Sequence, residues 1–296
     1  MERLTEPVVR RPPPSVAGTV RVSVTVPATP DRVWAALTQQ NEVRRWFGEL
    51  SETIRPGGEY RLDFGDGDFF EIRDVAMSPP TRLSYDWSFL GTGPRNAISW
   101  TLDSSAGHCR VTINDAESGR TPASVAEMIE GWTDFLNRLR RYCTTGENAR
   151  YGWRKEFDAA IELPVAPAEA FACLLSDVGQ SGWMPWYKGV IRVGAVLEMS
   201  DRLHPERLTV GAVTITAPQL LQFTLGCTEW SAGTECAIRI QPRQQGSLLV
   251  VSHRGWQNIC LQDDEQAAQR SRFGTLWIQA LRKARDLISR SSEKTP

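Results

Sequence analysis

Histidine is scarce, with three in 296 residues, and no two of the six cysteines stand at C-x-x-C spacing. Structural zinc needs such clusters. Cys109, Cys143, Cys173, Cys227, Cys236 and Cys260 therefore read as reduced, mostly buried thiols, and neither a metal nor a cofactor is expected. No run of about 18 apolar residues occurs, so no helix is expected to span a membrane. The net charge of −1 gives no electrostatic reason for a nucleic-acid or anionic-membrane partner. Catalytic signatures are missing as well: there is no G-x-S-x-G, no H-E-x-x-H and no phosphate-cradling glycine loop. The opening MERLTEPVVRRPPPSVAG lacks the apolar centre of a signal peptide; residues 1–18 read as an extended, poorly ordered arm, and the chain as cytoplasmic.

What is present is an ordinary globular balance, 41% apolar and 23% charged, in a chain long enough for two domains. Arg outnumbers Lys thirty to four, which reflects a high-GC genome more than a binding site. The anomaly is eleven tryptophans. Side chains so large and rigid must fill cores, line a cavity, or both.

The stretch that organises the rest is VTVPATPDRVWAALTQQNEVRRWFG, from Val24 to Gly48. Val24 and Val26 alternate with Thr25 as in a strand with one buried face, and Pro27, without an N–H, ends the ladder. Thr29 can cap a helix that starts at Pro30 and carries Val33, Trp34 and Leu37 on one stripe. A second amphipathic turn holds Val43, Trp46 and Phe47, and Gly57-Gly58 then leads into a strand at Tyr60. With Val24, Pro27, Val33-Trp34, Ala36-Leu37-Thr38, Trp46-Phe47 and Gly57-Gly58 followed by Tyr60, this segment resembles the head of a helix-grip (START-like, SRPBCC, Bet v 1-like) domain. Its branch is that of the heat-shock-protein-90 ATPase activators and the polyketide cyclases.

Further strands are expected at Glu52–Ile54, Tyr60–Phe64, Phe69–Met77, Leu83–Phe89, Ala97–Leu102 and Cys109–Asn114, with turns between them; the GDGD of 65–68 fits a hairpin turn better than a calcium loop. Thr121-Pro122 opens a long helix with Val125, Met128, Ile129, Trp132, Phe135, Leu136 and Leu139 at helical spacing, and Gly146 stops it. The order then repeats at a constant offset: Pro27 falls on Pro164, Pro30 on Pro167, Leu37 on Leu174, Trp46 on Trp183 and Gly57 on Gly194, while Trp34 meets Phe171. In the last helix Thr133, Leu139 and Arg140 match Thr275, Leu281 and Arg282, and Phe135 meets Trp277. The expected class is α+β: two helix-grip domains, residues 19–147 and 153–290, each a curved seven-stranded antiparallel sheet wrapped on a long C-terminal helix with two short helices. The second departs from the pattern at Ala166, which cannot cap, and at GQSGWMPWYKG, where Gly182 and Pro185 predict an irregular aromatic lip.

Strand parity turns Tyr60, Leu62, Phe64, Phe70, Ile72, Tyr85, Trp87, Ile98, Trp100, Val111 and Ile113 inward, facing Met128, Trp132 and Phe135 of the helix. In the second domain the inward set is Leu197, Met199, Phe223, Ile238, Leu249, Val251, Phe273 and Trp277, with Trp183, Trp186, Tyr187, Trp230 and Trp256 at the rim. Each residue alone reads as core packing; together, the resemblance implies a ligand-sized void lined by aromatics. His253 lies on the inward face, where many relatives carry a histidine, and Asp115 is its counterpart in the first domain. Imidazole transfers protons near neutral pH, although a merely hydrogen-bonded ring fits the pattern better. His108 and His204 read as solvent-facing.

Three functions are compatible with this. The first is a monomeric binding protein for a bulky, hydrophobic, largely aromatic small molecule, a polyketide or enediyne-like natural product, serving sequestration, transport or the self-resistance that the resemblance implies for proteins of such pathways. The second is a cyclase/aromatase-type enzyme using His253, Asp115 and Tyr85. The third is a protein-interaction module like the chaperone activators, which predicts a filled core and an exposed apolar patch.

Overall fold

A computed structural model describes residues 18–105, 107–199, 207–259 and 262–292; most of the N-terminal arm, His204 and Cys260 lie outside them. The chain forms two compact units. One runs to Gly65 and takes in Phe69–Ser88 and Arg95–Gly152; the other takes in Asp66–Asp68, Phe89–Pro94 and the chain from Trp153. Among the described residues no helix is long and apolar enough to cross a membrane.

The first unit is built from β1 (Thr19–Val26), α1 (Pro30–Thr38), α2 (Gln40–Val43), β2 (Glu49–Leu50), β3 (Tyr60–Asp63), β4 (Phe69–Ser78), β5 (Arg82–Phe89), β6 (Arg95–Ser105), β7 (His108–Ala116) and α3 (Pro122–Thr145). Its seven strands lie in the order β1-β7-β6-β5-β4-β3-β2. Alternation does what the sequence requires of it: Val20, Val22, Val24 and Val26 of β1 are buried, and their neighbours are more exposed. The helix ends are written locally. Thr29 accepts the Arg32 amide at 3.3 Å ahead of Pro30, and Thr121 accepts the Ser124 amide at 3.2 Å ahead of Pro122. Gly146 closes α3 in the left-handed region at φ 72°, which a side chain would disfavour, and donates its N–H to the Tyr142 carbonyl. α3 packs on β1 and buries Trp132, Leu136, Leu139 and Tyr142.

The second unit repeats the plan with β8 (Phe157–Leu163), α4 (Pro167–Leu175), α5 (Asp177–Trp183), β9 (Trp186–Lys188), β10 (Val196–Met199), β11 (Arg207–Thr216), β12 (Leu220–Gly226), β13 (Thr234–Pro242), β14 (Ser247–Arg254), a 3-10 turn at Trp256–Asn258, and α6 (Asp263–Ser292). Its sheet order, β8-β14-β13-β12-β11-β10-β9, is that of the first. Two tandem helix-grip domains of α+β class result.

Two local expectations are corrected. No strand forms at Glu52–Ile54; the strand is β2, three residues earlier in the chain, because the Ile54 amide is taken by the Thr38 carbonyl at the end of α1 (2.9 Å) and cannot join a ladder. The segment GQSGWMPWYKG is more regular than its glycine and proline suggest. Ser176 caps α5 by accepting the Gly179 amide at 3.0 Å, and the Trp183 indole donates to the Leu174 carbonyl at 3.0 Å, so tertiary anchoring outweighs the propensity cost of Gly182, about 1 kcal/mol. Gly179 is required there: a side chain would run into the Cys173 carbonyl, 1.9 Å from where its Cβ would sit.

Candidate functional site

In the first unit β4, β5 and α3 bring flat rings together. Phe70 stacks on Trp87 at 3.8 Å and 10°, and Trp87 on Trp132 at 5.3 Å and 14°, giving three nearly parallel rings across the space between sheet and helix. Phe47 meets Phe135 edge-on at 4.6 Å, and Trp100 meets Trp132 edge-on at 5.5 Å. Such pairs contribute about 0.5–1.5 kcal/mol each beyond their buried area. Phe70, Met128 and Phe135 are only partly buried, so the outer end of the ladder reaches solvent. Exposed Tyr151 extends it by packing edge-on against Phe135 at 5.6 Å.

Deeper in, a cavity of about 10 Å³ is lined by residues that include Trp46, Phe47, Ile72, Tyr85 and Trp100. That is room for one water. The ligand-sized void expected from the sequence is thus not open there, because the rings meant to line it lie against each other. Tyr85 accepts the Trp100 indole N–H at 3.0 Å. Burial, and secondarily the charge of Asp115, push its phenol pKa up, so Tyr85 is a neutral hydrogen-bonding group and not a base. Tyr85→Phe is expected to leave a buried indole N–H unpaired and to cost about 1–3 kcal/mol, read as a lower urea midpoint; an unchanged midpoint would show that the bond contributes nothing. Tyr60 is spent on the fold: its hydroxyl accepts the Arg55 amide at 2.7 Å and donates to the Arg55 carbonyl at 3.1 Å.

Asp115 is fully buried and its carboxylate is fully engaged. It accepts from Arg120 at 2.7 Å, from Asn96 at 3.0 Å and from the Trp132 indole at 2.8 Å. The same carboxylate therefore fixes the inner ring of the ladder.

His253 occupies the matching place in the second unit. Trp277 donates its indole N–H to Nδ1 at 3.1 Å, so the ring proton sits on Nε2 and is donated to the Thr234 hydroxyl at 2.8 Å. The ring packs against Trp256 at 4.2 Å and Phe273 at 5.4 Å. Burial, and then the charge of Arg270, push its pKa down to about 3. At neutral pH His253 is an uncharged ring with both nitrogens in use. Each unit thus has a helix tryptophan pinned by an acceptor on its last strand, Trp132 by Asp115 and Trp277 by His253. Matching the helices by Thr133 and Thr275 put Phe135 opposite Trp277; the hydrogen bonds place the corresponding indole in the first unit one turn earlier.

The rim expected in the second unit is also corrected. Trp183, Trp186, Trp230 and Trp256 are buried, with Trp183 and Trp186 packed on Trp277 at 6.3 and 5.9 Å; the Tyr187 side chain lies outside the description. The inward sets of both sheets are buried as parity predicts, except for the half-buried Phe70, Met128 and Phe135. Arg120 and Asn96 escaped the sequence reading, since nothing in strand periodicity reports a partner that reaches back from a turn or across from β6. His108 is exposed, and among the described residues no group of His, Cys, Asp and Glu could hold a metal ion.

Residues 27–144 match the family described as activator of Hsp90 ATPase homolog 1-like protein. No curated protein matches the chain. Among solved structures, DynU16, a protein in the dynemicin biosynthetic locus, is 35% identical over 92% of this chain and 100% of its own, with a TM-score of 0.82. CalU16 from Micromonospora echinospora is 22% identical over 49% of this chain and 88% of its own, with a TM-score of 0.37. StfQ, a di-domain ARO/CYC from the steffimycin biosynthetic pathway, is 13% identical over 93% of this chain and 99% of its own, also with a TM-score of 0.37.

Proposed function

Given that the chain belongs to the AHSA1-like (SRPBCC) family, we propose that it binds a bulky, flat aromatic small molecule of the polyketide or enediyne-like class in its first unit, for sequestration, transport or self-resistance. The observation that carries this is the ladder Phe70–Trp87–Trp132, whose adjacent rings lie parallel within 14° and whose outer end, at Phe70, Met128 and Phe135, is partly open. A planar ligand entering from that end replaces ring–ring contacts with ring–ligand contacts of the same kind. The cost of opening is then nearly matched by the gain. The origin of the 35% identical DynU16 in the dynemicin locus points toward the same ligand class.

Binding is favoured over turnover because the three candidate acid–base groups are committed elsewhere. His253 is neutral with both nitrogens bonded, Asp115 is ion-paired to Arg120, and Tyr85 holds its proton firmly.

The test is a tryptophan-fluorescence titration with anthraquinone-2-sulfonate. Saturable quenching is expected in the wild type, with affinity about tenfold weaker, roughly 1.4 kcal/mol, in Trp87→Leu and Phe70→Leu variants that keep their far-ultraviolet dichroism. Equal affinity in all three proteins would remove the ladder from the function.

A further inference from the structure

Burying an indole is tolerable when its N–H finds an acceptor, and this chain respects the rule almost throughout. Trp46, Trp100, Trp132, Trp183, Trp256 and Trp277 are fully buried, and each donates: to Ala36 O, Tyr85 Oη, Asp115 Oδ2, Leu174 O, His253 O and His253 Nδ1 respectively. Among these fully buried indoles Trp186 is the exception, for its Nε1 has no hydrogen-bond partner among the described residues. Its ring stands edge-to-face with Trp277 at 5.9 Å and with Phe223 at 6.2 Å, so the indole that carries this donor has aromatic neighbours on two sides. One of those neighbours is rigid, since Trp277 is tied to His253.

The strand that carries Trp186 is also the most lightly held in its sheet. β9 has three residues and lies at the edge; its pairings to β10 are Glu198 with Lys188 and Met199 with Trp186, with a register shift between them. Pro185 precedes it and Gly189, at φ 101°, follows. A short edge strand with irregular pairing can yield without disturbing the rest of the ladder.

We propose that the second unit contains a site for a flat aromatic ligand bearing a ring carbonyl, whose oxygen accepts the Trp186 indole N–H while its rings pack against Trp277 and Phe223. A neutral acceptor fits because a charged one would have to be stripped of water in an apolar surround. This goes beyond the ladder site, lies in the other unit and does not depend on it.

The experiment compares two probes that differ only in the ring carbonyls, anthraquinone-2-sulfonate and anthracene-2-sulfonate, on ¹⁵N-labelled full-length protein. The indole N–H resonance of Trp186, assigned by its absence in Trp186→Phe, is expected to move downfield with the quinone and to stay without a new hydrogen bond with the anthracene. Trp186→Phe is expected to weaken the quinone about tenfold and the anthracene little. A resonance unmoved by saturating quinone, no quinone binding, or an equal loss for both probes would overturn the proposal. Repeating the titration in Trp87→Leu separates this site from the ladder, because that variant leaves the second unit's residues untouched.

Discussion

Asp115→Ala is expected to lower the stability of the first unit by about 3–5 kcal/mol, the range for breaking a buried ion pair from one side. The reason is what remains. Arg120, whose side chain is wholly buried, keeps hydrogen bonds to the Gly18 and Asp115 carbonyls and the 3.3 Å ion pair with the partly exposed Glu117, but loses its nearer and fully buried carboxylate partner at 2.7 Å. The Trp132 indole and the Asn96 amide lose their acceptor in the same step. Arg120→Met should cost less, since the carboxylate it strands still accepts two hydrogen bonds. The double variant Asp115→Leu with Arg120→Met should recover part of the loss, because two apolar groups replace two desolvated charges. Urea unfolding followed by tryptophan emission measures all three. A loss below about 1 kcal/mol for Asp115→Ala would mean that Arg120 reaches water in solution. Because Trp132 is the inner ring of the ladder, the same variant should also bind the anthraquinone probe less well, even where most of it is folded.

The parts of this architecture that were legible in the sequence are those set by near neighbours along the chain. Thr29-Pro30 and Thr121-Pro122 announce helix starts because a hydroxyl and a missing N–H act within one turn. Gly146 announces an end because its backbone conformation is its own property. Parity along β3 to β7 gave the buried faces, since alternation is a consequence of the pleat alone. Where the reading failed, a partner outside the expected element decided. Ile54 looks like a strand residue until Thr38 claims its amide, and Gly182 looks like a helix breaker until Ser176 and the Leu174 carbonyl hold α5 at both ends.

The candidate site was legible to a different degree. Its residues could be named from parity and the aromatic excess, but not their mutual arrangement. Nothing local says that Phe70 and Trp87 lie 3.8 Å apart or that Trp183 and Trp186 point into a core instead of lining a rim. Ring stacking is a property of pairs far apart in sequence. The same holds for Asp115 and His253: the repeat identified them as counterparts, but only the fold shows that what they share is the acceptance of an indole N–H.

In the second unit that role makes stability depend on pH, which leads to the second large effect. An unfolded imidazole takes up a proton near pH 6.5, whereas folded His253 does so only near pH 3, because burial and Arg270 both oppose the charge. Between those values the unfolded chain binds more protons than the folded one. Stability contributed through His253 is therefore complete above about pH 6.5 and falls as pH drops toward 3, by up to about 1.4 kcal/mol per pH unit. Between pH 7.5 and pH 4.5 the second unit should lose about 3 kcal/mol on this account. His253→Asn keeps a side-chain oxygen for the Trp277 indole but has no proton to gain; it should be less stable at pH 7.5, where the Thr234 bond is lost, yet less sensitive to acid by about that amount. Urea midpoints of both proteins at the two pH values decide the matter. Equal acid sensitivity would mean that His253 titrates normally and is open to solvent, and its exclusion from proton transfer at neutral pH would fall with it. The expected result instead fixes the imidazole as a neutral strut, holding Trp277 rigid beside the Trp186 indole.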